Sequence, residues 1–530
     1  RNEYNIEPLI ANDNYVYIKI IRGMYGLKQA AILAYKQLVE HLEPFGYYPC
    51  PNTTGLWRHK RWRTAFCLCV DDFGIKYFNQ QDKDHFLHPF QVFDAFTEEG
   101  ALPIAAAHEA YIFDSDGNRY LDAVGGLWCT NIGLGREEMA EAIADQVRNM
   151  AYASPFVDMT NVPAAQLSAK LAELAPGDLN HVALSCGGST AVDTAYRLIH
   201  FYQNCRGKQD KKHIISRVNS YHGTTYAAMS IGGKPGDHPP EFDYIKDTIH
   251  HISCPNFYRA EEDVTEAEFL AAKLAELENK ILSIGADKVA AYFAEPIFGA
   301  GGVIVPPKGY HQGTWKICQK YDVLYVSDEV VTAFGRLGHW FASKEVFDFQ
   351  PDIICSAKGL TSGYQPLGAT IYSSAIHDVI SELGHGRCFT HGYTYSGHPV
   401  ACAAALKNIE IMEREQLLPH VQELGPYFQE QLKTLTDLPI VGDVRGVGLM
   451  ACVEFVKNKE TKELFSEDLD IGKWVSNQAD SRGLIVRPII NLNVMSPPLI
   501  IDRTQVDFIV ATLRDSILAC IKDLQKEGYF

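Results

Sequence analysis

Several features that would place the chain in a special class are missing from its 530 residues. No apolar run reaches the roughly 20 residues that a membrane-spanning helix needs, so no transmembrane segment is predicted. The 13 cysteines are odd in number and contain no Cys-x-x-Cys pair, which favours a reducing compartment over a disulfide framework. The chain opens with Arg1 and shows no signal-peptide pattern, so we expect it to begin part-way through a longer sequence.

Metal, nucleotide and nucleic-acid functions find little support either. Cys67 and Cys69 with His59 have the wrong spacing for a zinc site, so no metal ligands are predicted. The GxxxxGK pattern of a nucleoside triphosphatase is absent. The net charge of −17 argues against a polyanion partner for the whole chain. We therefore expect no nucleic-acid or membrane partner and a cytoplasmic location, with a mitochondrial one left open.

Residues 1–82 differ in character from the rest. A basic, aromatic-rich patch at 57–63 is followed by an apolar strand that ends in Asp71 and Asp72. Adjacent acids there could hold the metal ions of a nucleotidyl transferase, or they could be solvated acids of a hairpin. The words RGMYGLKQA and CVDDFG resemble the reverse transcriptase of a retrotransposon polyprotein, which implies Asp71 and Asp72 as metal-binding acids. Because a further acid and the fingers region would lie upstream, we expect no polymerase activity from this remnant, whether genuine or introduced by gene modelling.

The central stretch of the chain runs from residue 323 to 361. A short apolar strand at 323–326 leads into Asp328 and Glu329, and a second one at 353–355 leads into Lys358. In an open α/β sheet, ligands bind at the carboxyl ends of such strands. A lysine that forms an imine with an aldehyde, and a carboxylate that keeps a pyridine nitrogen protonated, suit pyridoxal phosphate chemistry. A helix N-cap and a surface lysine are the alternative interpretation.

Other residues point to the same chemistry. Residues 187–189 (Gly-Gly-Ser) begin a segment with helical apolar spacing, and a helix N-terminus suits a phosphate, although a plain N-cap is the alternative. Tyr221, followed by His222, comes after a predicted strand and could stack on a flat ring. Glu295 follows another buried strand. The length predicts two or three domains, since single cores stop growing near 250–300 residues.

A set of longer sequence motifs resembles those of the class III, or ω-, aminotransferases of the fold type I pyridoxal phosphate enzymes. In chain order they are GLWCTNIG, CGGSTAVDTAYR, YHGTTYAAMS, AEPIFGAGGVIVPP, SDEVVTAFGRLG, SAKGLTSGYQPLGA, GYTYSGHPVA and RGVGLM. The resemblance implies an α/β fold with a mainly parallel sheet in a large cofactor-binding domain at 136–415. It also implies a smaller α+β domain formed by residues 83–135 and 416–530.

The same resemblance assigns roles around the cofactor. Lys358 would be the Schiff-base lysine and proton shuttle, and Asp328 would pair with the pyridinium nitrogen. Val330 and Tyr221 would cover the two faces of the ring. The other implied cofactor contacts are Gly187, Gly188 and Ser189 at the phosphate, His222 and Glu295 near the ring, and Thr394 at the phosphate of the other subunit's cofactor.

For the substrate, the resemblance implies that Trp128 lines the pocket and that Arg487 binds a carboxylate and swings aside for uncharged amines. The implied reaction is a ping-pong transfer from an amine or ω-amino acid to a keto acid such as pyruvate, in a homodimer with shared sites. Thr190 and Phe298 depart from the family's common Glu and Gln, which bears on substrate identity. The donor and the choice between dimer and tetramer stay open.

Two other functions remain as alternatives at this point. A decarboxylase or a racemase could use the same fold and cofactor, because the cofactor supports both reactions. A nucleic-acid-binding retroelement fusion would rest on residues 1–82 and predicts salt-sensitive retention on a polyanion.

Overall fold

The computed structural model describes residues 85–93 and 101–529, together with the backbone of five strands between residues 15 and 76. The chain divides into two compact units. The first comprises Arg1–Ala106 and Ile112–Arg119, and the second comprises Ala107–Tyr111 and Tyr120–Phe530. The domain limits predicted at residues 82, 135 and 415 stay predictions.

The first unit contains a five-stranded antiparallel sheet. Its strands, in spatial order, are Tyr15–Lys19, Asp72–Lys76, Ala65–Cys69, Leu56–His59 and Tyr47–Pro49. The backbone places Asp72 at the first position of its strand, opposite Cys69. The side chains of Asp71, Asp72 and the basic patch lie outside the described residues, so the metal-binding interpretation stays a prediction.

A seven-stranded sheet forms the centre of the second unit. Its spatial order is Ile249–Ile252, His213–Arg217, Val289–Ala294, Leu324–Asp328, Ile353–Ser356, Gly368–Ser373 and Leu179–Ser185. Only Gly368–Ser373 runs antiparallel to its neighbours. Every residue of Val289–Ala294 and Leu324–Asp328 is buried, as expected for parallel strands covered on both faces. The predicted α/β fold with a mainly parallel sheet is confirmed.

Helices cover both faces of this sheet. Phe293 packs in the cluster that includes helix Gly188–Cys205, while its neighbour Tyr292 packs on the opposite face. Helices Glu266–Ile284 and Tyr310–Lys320 cover that second face. Alternate strand residues therefore serve two separate cores. Complete burial of a side chain such as Phe293 contributes about 1.5–3 kcal/mol.

The remaining elements do not belong to the central sheet. Strands Ile104–His108, Tyr111–Asp114 and Arg119–Asp122 precede it, and Leu484–Ile485 pairs in parallel with residues 121 and 122. A four-stranded antiparallel sheet contains Val441–Val447, Met450–Phe455, Leu492–Met495 and Arg487–Ile489. The other helices are Gly125–Trp128, Glu137–Met150, Val162–Leu174, Tyr226–Ile231, Ala342–Glu345, Ser374–Ile380, Pro399–Arg414, Leu417–Lys433, Ile471–Asp480 and Arg503–Glu527.

Short 3₁₀ turns complete the described chain, at Pro235–Asp237, Phe257–Arg259, Lys358–Leu360, Thr434–Asp437 and Glu467–Leu469. Among the helices in the described part of the chain, none combines the length and the apolar character needed to cross a membrane.

The long C-terminal helix, Arg503–Glu527, begins with a reciprocal cap that can be tested. The Asp502 carboxylate accepts from the Gln505 backbone N at 2.8 Å, and the Gln505 side chain accepts from the Asp502 backbone N at 3.0 Å. Because Asp502→Ala removes this cap, it should lower the free energy of unfolding by about 1 kcal/mol. Thermal unfolding measures the change. Asp515→Ala, an exposed position on the same helix, should stay within about 0.5 kcal/mol, and equal midpoints for the two variants would contradict the role of the cap.

Candidate active site

Three adjacent strands of the seven-stranded sheet deliver their polar residues to one edge. Asp328 ends the strand Leu324–Asp328, Glu295 directly follows Val289–Ala294, and Lys358 comes two residues after Ile353–Ser356. These strands run parallel and are neighbours in the sheet. Their carboxyl ends form the crevice where open α/β sheets bind ligands.

Asp328 is held in place by two hydrogen bonds. Its side chain is buried, and its Oδ2 lies 2.6 Å from Nδ1 of His222. Its Oδ1 accepts from the backbone N of Val330 at 3.2 Å. Because an ionised carboxylate can only accept, His222 donates from Nδ1. The other imidazole nitrogen, Nε2, is buried and has no hydrogen-bond partner among the residues that the structure describes.

Lys358 lies half-buried in a left-handed backbone conformation with φ of 42°. Burial lowers the pKa of its amine below the usual 10.5, and attraction to Asp328, Cys129 and Glu295 offsets part of that shift. The Nζ atom lies 5.5 Å from the centre of the Trp128 ring. A lysine with a lowered pKa has a larger share of its amine in the neutral, nucleophilic form.

Glu295 joins two loops at the same edge. Its Oε1 accepts from the backbone N of Tyr221 at 3.0 Å, and its Oε2 accepts from the backbone N of Gly299 at 2.8 Å. The side chain is buried, and this burial raises the pKa of its carboxyl group. Burial also raises the pKa of the Tyr221 phenol. Glu295 therefore positions the segment that carries Tyr221 and His222.

The predicted phosphate cradle lies at the start of the 18-residue helix Gly188–Cys205. Ser189 Oγ accepts from the backbone N of Thr224 at 3.1 Å. At Gly223, with φ of 130°, a Cβ would lie 2.8 Å from the Ser189 Cα, so glycine is required for this close approach. A Cβ on Gly188 would lie 3.0 Å from Val330 Cγ1. Val330 is thereby placed between the cradle and Asp328.

The Thr190 hydroxyl closes the turn at the start of this helix. Its Oγ1 accepts from the backbone N of Cys186 at 3.1 Å and donates to the Gly187 carbonyl at 2.9 Å. Thr190 therefore satisfies two backbone groups of this turn through its own hydroxyl.

The predicted substrate residues occupy different environments. Trp128 is buried and has φ of 63°, and its Nε1 has no hydrogen-bond partner within the described residues. Arg487 is exposed at the first position of strand Arg487–Ile489. Partial burial lowers the pKa of its guanidinium, and attraction to Tyr221 and Asp237 offsets part of that effect.

Thr394 is the predicted residue that the single chain does not bring to the cradle by any described contact. Its side chain is exposed, and its carbonyl accepts from the Tyr152 hydroxyl at 2.8 Å. This position suits a residue that acts across a subunit interface, and its role stays a prediction.

Several supporting residues were not predicted from the sequence. Asp122 accepts from the backbone N of Val124 at 3.0 Å and of Gly126 at 2.6 Å, which fixes the turn that carries Trp128. Glu329 is buried and accepts from the backbone N of Ala342 and Ser343, so it caps a helix. An acid three residues before a Gly-Gly pair was a usable sequence signal for the Asp122 turn. Glu329 and Ala342 are 13 residues apart, and no sequence pattern indicated the contact between them.

The residues at this edge fit pyridoxal phosphate. The group carries an aldehyde, a pyridine nitrogen and a phosphate, which correspond to a lysine amine, a buried carboxylate and a helix N-terminus. The chain offers Lys358, Asp328 and the Gly188–Cys205 helix start in one crevice. Nε2 of His222 and Nε1 of Trp128, which have no hydrogen-bond partner in the described part of the chain, are buried polar atoms available to a bound molecule.

The sequence model of the family described as "Aminotransferase class-III" matches residues 95–517. The chain belongs to the class III aminotransferases. It is therefore an enzyme that transfers amino groups, with pyridoxal phosphate as cofactor and the fold of the fold type I enzymes. The predictions of family, fold, enzyme class and cofactor are confirmed, whereas the individual residue roles stay predictions.

Curated relatives and solved structures agree with this placement. A putrescine–pyruvate aminotransferase of Pseudomonas aeruginosa is 42% identical over 433 residues, which cover 82% of this chain and 94% of that protein. A mitochondrial γ-aminobutyrate transaminase of Oryza sativa subsp. indica is 38% identical over 82% of this chain and 84% of its own. The (S)-enantioselective ω-transaminase of Thermomicrobium roseum superposes with a TM-score of 0.79 at 39% identity, over 84% of this chain and 97% of its own. The PMP-bound aminotransferase of Vibrio fluvialis superposes with a TM-score of 0.81 at 35% identity, over 84% of this chain and 99% of its own.

The electrostatics of Lys358 give a direct test in the cofactor-free protein. Trinitrobenzenesulfonate should modify Lys358 with a pH midpoint below 10.5, because burial disfavours its charged form. Asp328→Asn removes an attraction that favours the charged form, so the midpoint should fall further. Peptide mass spectrometry follows the modification. Asp515→Asn serves as the control and should not move the midpoint; a rise on Asp328→Asn would refute the assigned coupling.

Proposed function

We propose that the enzyme transfers the amino group of an amine or ω-amino acid to pyruvate in a ping-pong reaction. The observation that carries the proposal is the convergence of Lys358, Asp328 and Glu295 at the ends of three adjacent strands. The 42% identity to a protein named as a putrescine–pyruvate aminotransferase supports pyruvate as the acceptor.

When bound, pyridoxal phosphate supplies an aldehyde that bonds covalently to amines and a ring that accepts electrons from the substrate carbon. Lys358 would hold the cofactor through its Nζ and, once released, would use the same atom to remove and return the proton. Its lowered pKa places the amine closer to the working range of a general base. Asp328 would keep the ring nitrogen protonated, and the contact with His222 holds that carboxylate in place.

The other predicted residues would bind and orient. Val330 and Tyr221 would enclose the ring, and the helix N-terminus with Ser189 would receive the phosphate. Trp128 would exclude water from one side of Lys358, since its ring lies 5.5 Å from Nζ. Arg487 would bind the carboxylate of the keto acid. Its exposed position leaves the side chain free to move aside for an uncharged amine.

A donor panel tests the proposed reaction. The purified holoenzyme is incubated with pyruvate and each of putrescine, β-alanine, γ-aminobutyrate and 1-phenylethylamine, and alanine formation is measured. Lys358→Ala should lower the rate about 100- to 10,000-fold, because the general base is lost. Lys344→Ala, at an exposed lysine paired with Asp348, should not change the rate. If no donor yields alanine although the cofactor is bound, the proposal fails in favour of another reaction such as decarboxylation or racemisation.

We also propose that the enzyme works as a homodimer with shared sites. Exposed apolar side chains lie on and beside the segment that carries Thr394. Tyr395 is more than half exposed, and the exposed Phe156 ring would lie 3.5 Å from a Cβ added at Gly392. The Tyr152 ring lies 6.2 Å from that of Tyr395 and extends the same surface. Contiguous exposed apolar surface of this kind marks interaction sites. A second copy placed here would bring Thr394 to the other cofactor.

Subunit mixing tests the shared site. Thr394→Ala should weaken cofactor binding, and Lys358→Ala should abolish turnover, so each variant alone is poorly active. When the two are unfolded and refolded together, each mixed dimer gains one complete site. The activity should then reach roughly a quarter of the wild-type value, since about half of the dimers are mixed. Activity no greater than the average of the separate variants would show that Thr394 serves its own subunit.

A further inference from the structure

Arg217 is a fully buried cation without a carboxylate partner among the described residues. It is the last residue of strand His213–Arg217. Its Nη2 donates to the Glu295 carbonyl at 2.6 Å, while Nε and Nη1 have no hydrogen-bond partner within the described chain. Its Cζ lies 4.0 Å from the centre of the Phe298 ring and 5.9 Å from that of Tyr310. Because burying a cation is costly, the Phe298 ring face, the Glu295 carbonyl and attraction to the Glu295 carboxylate compensate for its burial.

A second buried side chain holds the next carbonyl of the same turn. His311 Nε2 lies 2.9 Å from the Pro296 carbonyl, and its Nδ1 lies 2.9 Å from the Tyr325 hydroxyl. Burial lowers the pKa of His311 to about 3, so the ring is neutral and has a single N–H. That N–H donates to the carbonyl, and Nδ1 accepts from the Tyr325 hydroxyl.

The turn held in this way contacts the wall of the substrate pocket. At Gly299, an added Cβ would lie 2.2 Å from Trp128 Cζ3, so the Gly299 backbone is packed directly against the indole. The backbone N of Gly299 is fixed by Glu295, whose other oxygen fixes Tyr221. The indole lies between this turn and Lys358. A shift of the turn would therefore move Trp128.

We propose that Arg217 and Phe298 are positioning residues that fix the turn 295–299, and through it Trp128, and so set the size of the amine accepted beside Lys358. This inference rests on the proposed amine:pyruvate reaction. Arg217 and Phe298 would act through the turn and Trp128, not by contact with the amine. The Phe298 side chain is completely buried and stacked on the guanidinium.

Glutamine at position 298 provides a variant that could keep the support of the turn by other means. A glutamine oxygen could accept from the unpartnered Nε or Nη1 of Arg217, so the turn would be held by a hydrogen bond in place of a ring face. Phe298→Ala removes both means of support. If the pair acts by holding the turn, Phe298→Gln should preserve donor selectivity and Phe298→Ala should not.

The test compares the kcat/KM of the holoenzyme for 1-phenylethylamine and isopropylamine, with pyruvate as acceptor. In Phe298→Ala the freed turn lets Trp128 recede, so the ratio should shift toward the bulky amine by about tenfold or more, mainly through KM. Phe298→Gln should stay within about twofold of the wild-type ratio. In a Trp128→Ala background, Phe298→Ala should have no further effect on the ratio, because the wall it moves is absent. A crystal structure of Phe298→Ala should show Trp128 displaced from Gly299.

A matched control separates positioning from general loss of stability. Phe428, in helix Leu417–Lys433, is equally buried and packs in a hydrophobic cluster that does not include Phe298. Phe428→Ala should lower the melting temperature without changing the donor ratio. An unchanged ratio in Phe298→Ala, or the same shift in the Trp128→Ala background, overturns the inference. If Phe298→Ala does not fold, Phe298→Leu takes its place with the same expected direction. Should the wild-type enzyme transaminate neither amine nor any other donor, the proposed function itself has failed.

Discussion

The contact between Asp328 and His222 is the constraint on which the site depends. A carboxylate at the end of a buried parallel strand loses its hydration, and this costs free energy unless it is hydrogen-bonded. The imidazole at 2.6 Å and the Val330 amide provide those bonds and fix the direction of the carboxylate. The neighbouring strands then place Lys358 and Glu295, each just beyond the end of its strand, at the same edge of the sheet. The chemistry therefore depends on where the buried Asp328 carboxylate is held by its hydrogen bonds.

Buried charges recur around this edge, and each immobilises a loop. Arg336 is fully buried and donates to the carbonyls of Leu449 and Pro497 and to the side chain of Asn131, and burial lowers its pKa to about 9. Arg217 holds the Glu295 carbonyl in the same way. Removing the partners of such groups would leave buried charges unsatisfied, which is more costly than losing an exposed ion pair. Each of these cations links segments that are far apart in the sequence.

Short sequence patterns predicted the strands and the helix that position the site residues. The apolar runs before Asp328 and Lys358 predicted buried strands, because parallel strands are covered on both faces. The Gly-Gly-Ser word predicted the start of helix Gly188–Cys205. The residues that hold the loops around the site could not be predicted in this way. Arg217 bonds to a carbonyl 78 residues away, and nothing near it in the sequence distinguishes it from a surface arginine. The role of Thr394 depends on a second chain.

The site depends on one lysine amine that lies in the same crevice as the Asp328 carboxylate. The most direct measurement is to incubate the protein with pyridoxal phosphate, reduce it with borohydride, and locate the label by peptide mass spectrometry. We expect one label per chain, on Lys358, and much weaker retention of the cofactor in Asp328→Asn. A label on another lysine, or none at all, would contradict the assignment of this edge as the active site.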